Sequence, residues 1–231
     1  MSEKSTVKEN LVNKVYDYVL NMILTQEIKC GEKIPETMVA QKLDVSRTPI
    51  REALRRLANS GIIKIYPKRF AEVISFTEQD IKDLGFVRIM LDTMAAQLAI
   101  VNGSNADFSK LKEITDNCIA LLSGGDRLGS IRLDCDFHLA LSHIAGNPFL
   151  IGMQKDLYLK VELLLSTVSQ TKEQRIASIE HHYNIIEKLY KRDSEEVIKL
   201  IYKHLTEFYM LDFEQYSSFH FSIDDIARLA K

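Results

Sequence analysis

Two registers of one period run along the chain from Ser46 to Leu57: apolar Ile50, Ala53, Leu54 and Leu57, and basic Arg47, Arg51 and Arg55. Spacings of three and four residues put each set on its own face of a helix, one for a core and one for solvent. Such a helix needs small companions that cover its apolar face and leave its arginines bare. The flanking sequence supplies them. Leu11, Val15, Val19 and Ile23 recur every four residues and predict an amphipathic helix over about 8–25, with Gly31 as its stop. Pro35 opens a short helix to about Leu43, with Val39 and Leu43 facing inward. Asp44 and Val45 form a tight turn. Ser46 is the expected N-cap of the arginine-bearing helix, and Pro49 falls in its first turn, where a missing N–H costs nothing. Gly61 ends that helix. Residues 62–66 and 70–74 then read as two strands around a Pro67-Lys68-Arg69 tip.

Helix, turn, helix and basic hairpin together make a winged helix-turn-helix, a shape that offers a helix N-terminus to the major groove and a basic wing to the backbone. The charge distribution agrees. Residues 1–75 hold 13 Lys and Arg against 9 Asp and Glu, although the whole chain is at −2. Within residues 46–69 the balance is seven basic residues against one acid, Glu52. On charge alone a solvated face explains this as well as a polyanion-binding one; the helical pattern decides for the second.

The remainder reads as a row of helices. Thr77 with Asp80 three residues on is a variant capping box, and Ile81, Leu84, Met90, Leu91, Met94 and Leu98 carry that helix to about Val101. Further helices are expected over about 106–122, up to Ile144, from Pro148 to Val168, over 173–191, and from Asp193 to near Tyr216, with a short amphipathic helix in 222–230. A row of antiparallel helices forms a bundle. The expected fold is therefore mainly α: an N-terminal winged helix-turn-helix over residues 1–76 and a C-terminal all-α antiparallel helical bundle over 77–231.

The bundle carries a second constellation. Asp134 and His138 are i and i+4 on one helical face. His182 and His204 lie 11 residues either side of Asp193, at the turn between two antiparallel helices, so both reach the same level, about 16 Å from the bend. One carboxylate and three imidazoles can thus converge on a divalent transition metal, with zinc, nickel, manganese and iron all compatible. Each histidine taken alone is more often a core or surface residue; the matched offset raises the metal reading to even odds. Neighbouring His181 is one residue off the face, and Cys135 reads as a small buried thiol.

The stretch from Val45 to Ile63, VSRTPIREALRRLANSGII, resembles the DNA-binding signature of the GntR family of bacterial transcription regulators. The resemblance implies DNA contacts from Ser46, Arg47, Thr48 and Arg51, with Lys68 and Arg69 at the wing. Thr37 stands where many members have arginine, and Phe70 replaces the usual wing glycine. Val87-Arg88, Leu91-Asp92, the run from Asp134 to His138, and Gly146-Asn147-Pro148 resemble the ligand-binding domain of the FadR-like branch. There the resemblance implies a metal on Asp134, His138, His182 and His204, and an effector-binding role for Arg88. An i,i+4 salt bridge from Arg88 to Asp92, which replaces a more usual Glu, is the equally weighted alternative.

The expected function is regulation of transcription, not catalysis. The partners would be a double-stranded, pseudo-palindromic operator, a small organic acid effector and a second copy of the chain. The other class weighed is a metalloenzyme or metal store with an incidental basic domain. H-E-x-x-H and paired E-x-x-H motifs are both absent, which argues against it. The longest apolar runs are a few residues, and MSEKSTVKEN has no apolar stretch, so neither a membrane span nor a secretory signal is expected. Three cysteines without C-x-x-C spacing fit a reducing, cytoplasmic setting.

Overall fold

The computed structural model describes residues 3–209 and 211. The short helix expected over 222–230 and the helix end expected near Tyr216 lie outside them. In chain order the elements are α1 (Glu3–Leu24), α2 (Glu36–Leu43), α3 (Arg47–Asn59), β1 (Ile63–Tyr66), β2 (Phe70–Val73), α4 (Glu78–Asn102), α5 (Asn105–Ser123), α6 (Arg127–Ala145), α7 (Pro148–Thr167), α8 (Lys172–Tyr190) and α9 (Ser194–Tyr209).

The N-terminal core gathers Val15, Val19 and Ile23 of α1, Val39 of α2, and Ile50, Ala53, Leu54 and Leu57 of α3. One expectation for α1 shifts by a residue. Leu11 is exposed and Val12 takes the core position, because a 3.6-residue helix drifts off a strict four-residue repeat. Gly31 is also not the stop. Gln26, two residues past the end of α1, takes a positive φ of 62°, and the Ile28 N–H returns to the Met22 carbonyl. Gly31 instead begins an extended segment alongside β2: its N–H donates to the Val73 carbonyl, and Ile34 N–H donates to Ala71. The antiparallel hairpin pairs Ile63 with Val73 and Tyr66 with Phe70, and this added edge widens the wing.

The bundle begins with α4, whose N-terminus carries the complete capping box of Thr77 and Asp80. This helix is long and apolar enough to cross a membrane by length and composition alone. It packs instead on α6 and α9 as a core helix. Its buried stripe differs from the large apolar residues expected: Gly85, Arg88, Ile89, Asp92, Ala95, Ala96 and Ala99 face inward, while Met94 is exposed. Small residues let neighbouring helices close in. A Cβ on Gly85 would lie 2.3 Å from the Tyr209 ring. The bundle core then builds on Phe108, Phe137, Leu141, Ile185, Ile201 and Leu205.

Candidate metal centre and nucleic-acid interface

In the winged unit, Ser46, Arg47, Thr48 and Arg51 are all exposed, grouped on the first turns of α3. Ser46 occupies the N-cap position but makes no side-chain cap bond, so its hydroxyl stays open to an outside partner. Arg55 is exposed on the same face. Arg56, also exposed, is engaged within the protein: it donates to Asn13 Oδ1 at 2.6 Å and lies over the Tyr16 ring. Lys68 and Arg69 are exposed at the hairpin tip, Lys68 with a positive φ of 60°. Phe70 packs against Tyr66 with ring centroids 4.6 Å apart and the planes tilted, and Lys33 and Arg69 lie over its ring. The wing is thus an aromatic pair bordered by cations.

In the bundle, Asp134 and His138 of α6, His182 of α8 and His204 of α9 are all buried, each with a ligand atom within 4.8 Å of the others. His182 Nε2 lies 3.2 Å from His204 Nε2 and 3.5 Å from Asp134 Oδ1. The Phe137 ring stacks flat on His182 at 3.8 Å. Burial, and then the neighbouring imidazoles, push His182 and His204 well below the usual histidine range. Both are therefore neutral at physiological pH, the form in which imidazole donates a lone pair. Both ring nitrogens of His138, and Nδ1 of His182 and of His204, are buried without a hydrogen-bond partner. The atoms that meet at the centre are His182 Nε2, His204 Nε2 and Asp134 Oδ1, with the buried, unpartnered His138 beside them. Three neutral or unpaired imidazoles and one carboxylate converging in a dry core fit a metal ion, and such an N3O set suits the first-row divalent ions. His181 is off this face, its ring 5.9 Å from that of His204. Cys135 is buried with its thiol pushed far up by burial, and it takes no part in the quartet.

A residue read only as a helix neighbour proves central. Asp92 Oδ2 lies 3.1 Å from His138 Nδ1. A carboxylate there favours the tautomer protonated on Nδ1 and leaves the Nε2 lone pair facing the quartet. Asp92 is itself held by the Tyr158 hydroxyl at 2.6 and 2.7 Å and by Gln154 Nε2 at 2.6 Å. Arg88 is buried and engaged. Its Nε is 3.5 Å from Asp92 Oδ2 and donates to the Tyr158 hydroxyl at 3.1 Å, while Nη1 donates to the Tyr209 hydroxyl at 3.2 Å. The salt bridge to Asp92 is present; Nη2 has no partner. No sequence pattern announced Tyr158, Gln154 or Tyr209.

Comparison with known proteins agrees with both halves. Residues 11–73 match the family "Bacterial regulatory proteins, gntR family", and residues 83–207 match the FCD domain. The chain is 29% identical to the HTH-type transcriptional regulator YdhC of Bacillus subtilis, with 82% of this chain and 85% of that one covered. It is 28% identical to the Uxu operon regulator of Haemophilus influenzae, covering 85% and 81%. Its fold is similar to that of E. coli McbR/YncC, at a TM-score of 0.76 and 22% identity over 89% of this chain and 98% of that one. Winged helix-turn-helix, helical bundle and both family matches lead to one conclusion: the chain belongs to the GntR family of bacterial transcriptional regulators, as a member with a C-terminal FCD domain.

Proposed function

We propose that this chain binds a pseudo-palindromic operator as a homodimer, and that a small organic acid at the Asp134–His138–His182–His204 centre modulates its operator affinity. The observation that carries the reading is the buried quartet in the same chain as an exposed arginine face. In this reading Arg47 and Arg51 reach base edges or phosphates, Ser46 and Thr48 bond the backbone beside them, and Lys68 and Arg69 neutralise phosphates at the wing. A bound zinc, nickel, manganese or iron ion would supply a Lewis-acidic seat for a carboxylate. Asp134, His138, His182 and His204 hold that seat across three helices, and Asp92 orients His138. A single winged unit offers few contacts, so two half-sites are needed for operator-level affinity. Val87 and Met94 on α4, with Phe149 and Met153 at the start of α7, are exposed apolar side chains that support a second copy as the bundle's partner. The setting is the cytoplasm, where the operator is.

The test measures metal content and operator affinity on the same proteins. Arg47→Ala should cost about 1–3 kcal/mol of operator binding and leave the metal in place. The His182→Ala, His204→Ala double variant should lose stoichiometric metal and still bind the operator. Full metal occupancy in that double variant, or unchanged operator affinity in Arg47→Ala, would overturn the assignment.

A further inference from the structure

The bundle buries two guanidinium groups in different company. Arg88 is held by two tyrosine hydroxyls and paired with Asp92. Arg175, on the first turn of α8, is 4% exposed, and among the described residues no carboxylate lies within ion-pair range of it. Its hydrogen bonding is one long contact, Nη1 to Gln170 Oε1 at 3.5 Å, and Nε has no partner. Its field falls on another cation, Arg127, whose pKa is lowered by burial and by Arg175. Arg127 already directs its N–H groups at the carbonyls of Leu165, Ser166 and Val168. An unpaired buried charge is costly, and arginine, unlike lysine, does not escape by losing its proton. Such a group is in want of an anion.

Its position says where the anion comes from. Arg175, Ile179 and His182 are i, i+4 and i+7, so Arg175 shares the buried face of α8 with a member of the quartet, two turns or about 10 Å along the axis. Opposite them stand Cys118 of α5 and Ser130 of α6, small, buried and bonded to each other. The Cys118 thiol is pushed up to about 12, by burial and then by Asp134, with Arg175 pulling the other way. It therefore feels both the quartet and the unpaired guanidinium.

We propose that Arg175 binds the second carboxylate of a two-ended organic acid whose first carboxylate is taken at the Asp134–His138–His182–His204 centre. The effector class is then a dicarboxylate, several carbons between its ends, read by the planar fork of Arg175 and not by Arg88. This rests on the reading of an organic acid at the quartet, and the experiment separates the two.

Zinc-loaded full-length protein is titrated calorimetrically with succinate, glutarate and adipate, and with butyrate, valerate and hexanoate. A diacid should bind at least tenfold more tightly than a monoacid of similar length. Arg175→Gln should abolish that advantage, with metal content and monoacid binding unchanged. Ligand-free Arg175→Gln should melt at or above the parent temperature, since it removes an unpaired buried charge. Arg175→Lys, which keeps the charge and loses the fork, provides the same test should the glutamine variant not fold: it should weaken diacid binding selectively. A diacid advantage that survives in Arg175→Gln, or a marked drop in the ligand-free melting temperature, overturns the role of Arg175. Equal binding of both series to the parent does so too and leaves the organic-acid reading standing. Absence of binding by any of the six acids overturns both.

Discussion

Removing the Asp92 carboxylate would leave the Tyr158 hydroxyl and Gln154 Nε2 buried without their acceptor, and would take the neighbouring negative charge from His138 Nδ1 and Arg88. Groups that orient a ligating imidazole in this way typically carry a 10–100-fold effect on metal affinity. Asp92→Ala should therefore weaken zinc binding by that factor in a chelator competition, even though it touches no metal. Unchanged affinity would show that His138 is oriented by packing alone. The sequence made the quartet readable because helical geometry links Asp134 to His138, and a shared turn links His182 to His204. It concealed the Asp92 network, whose partners Gln154 and Tyr158 lie 62 and 66 residues away and follow no period. For the same reason Arg175 was missed: a buried arginine on an amphipathic helix looks like any other charge until its surroundings are known.

Helix boundaries were the most legible feature, because caps are local chemistry. Thr77–Asp80 and Asn147–Pro148 both open helices where their side chains imply. Asn147 Oδ1 accepts from the N–H groups of Phe149 and Leu150 at 3.0 and 3.2 Å. Asn147→Ala should cost about 1 kcal/mol of bundle stability in denaturant unfolding, the ordinary value of a lost cap. A loss near zero would mean that tertiary contacts alone hold the start of α7. At Thr77 the hydroxyl and backbone N–H hold the Asp80 carboxyl below the usual carboxylate range. A depressed folded pKa gives stability that is present above the unfolded value and is lost as pH falls through the folded one. Thr77→Val should flatten that acid limb, read as melting temperature against pH; an identical profile would show the cap to be inert. What local chemistry does not set is the phase of a buried face. The inward stripe of α4 combines an ion pair with small residues, so the large apolar side chains that mark a core helix pointed partly elsewhere.

At the scale of the whole molecule the element that matters most is α7, because it belongs to both cores. Its Tyr158 and Gln154 hold Asp92 beside the quartet, whereas its Leu163, fully buried, packs into the core of the winged unit. Between them Lys160 Nζ donates to the Ser60 carbonyl at 2.8 Å, at the C-terminal end of α3. Gln26 after α1 donates to Ser166 Oγ at 3.0 Å. Clefts of about 620 and 740 Å³ flank α7 on its two sides, and beside the second Arg132 of α6 donates to Asn21 Oδ1 of α1 at 3.4 Å. A ligand changes operator affinity only through a difference in its affinity for two arrangements of the chain. A tenfold response needs about 1.4 kcal/mol of coupling. One hydrogen bond from a charged donor to a backbone carbonyl contributes about 1.5–3 kcal/mol, which is the same size. Lys160→Met keeps the aliphatic stem and removes that donor. It should leave zinc content and acid binding as in the parent, and operator affinity without acid within a few-fold, while the acid-dependent change in operator affinity collapses toward unity. The measurement is operator binding by fluorescence anisotropy, with and without the tightest-binding acid of the calorimetric series. A full response in Lys160→Met would place the coupling on another path, with the Leu163 contact and the linker ahead of α4 next to test.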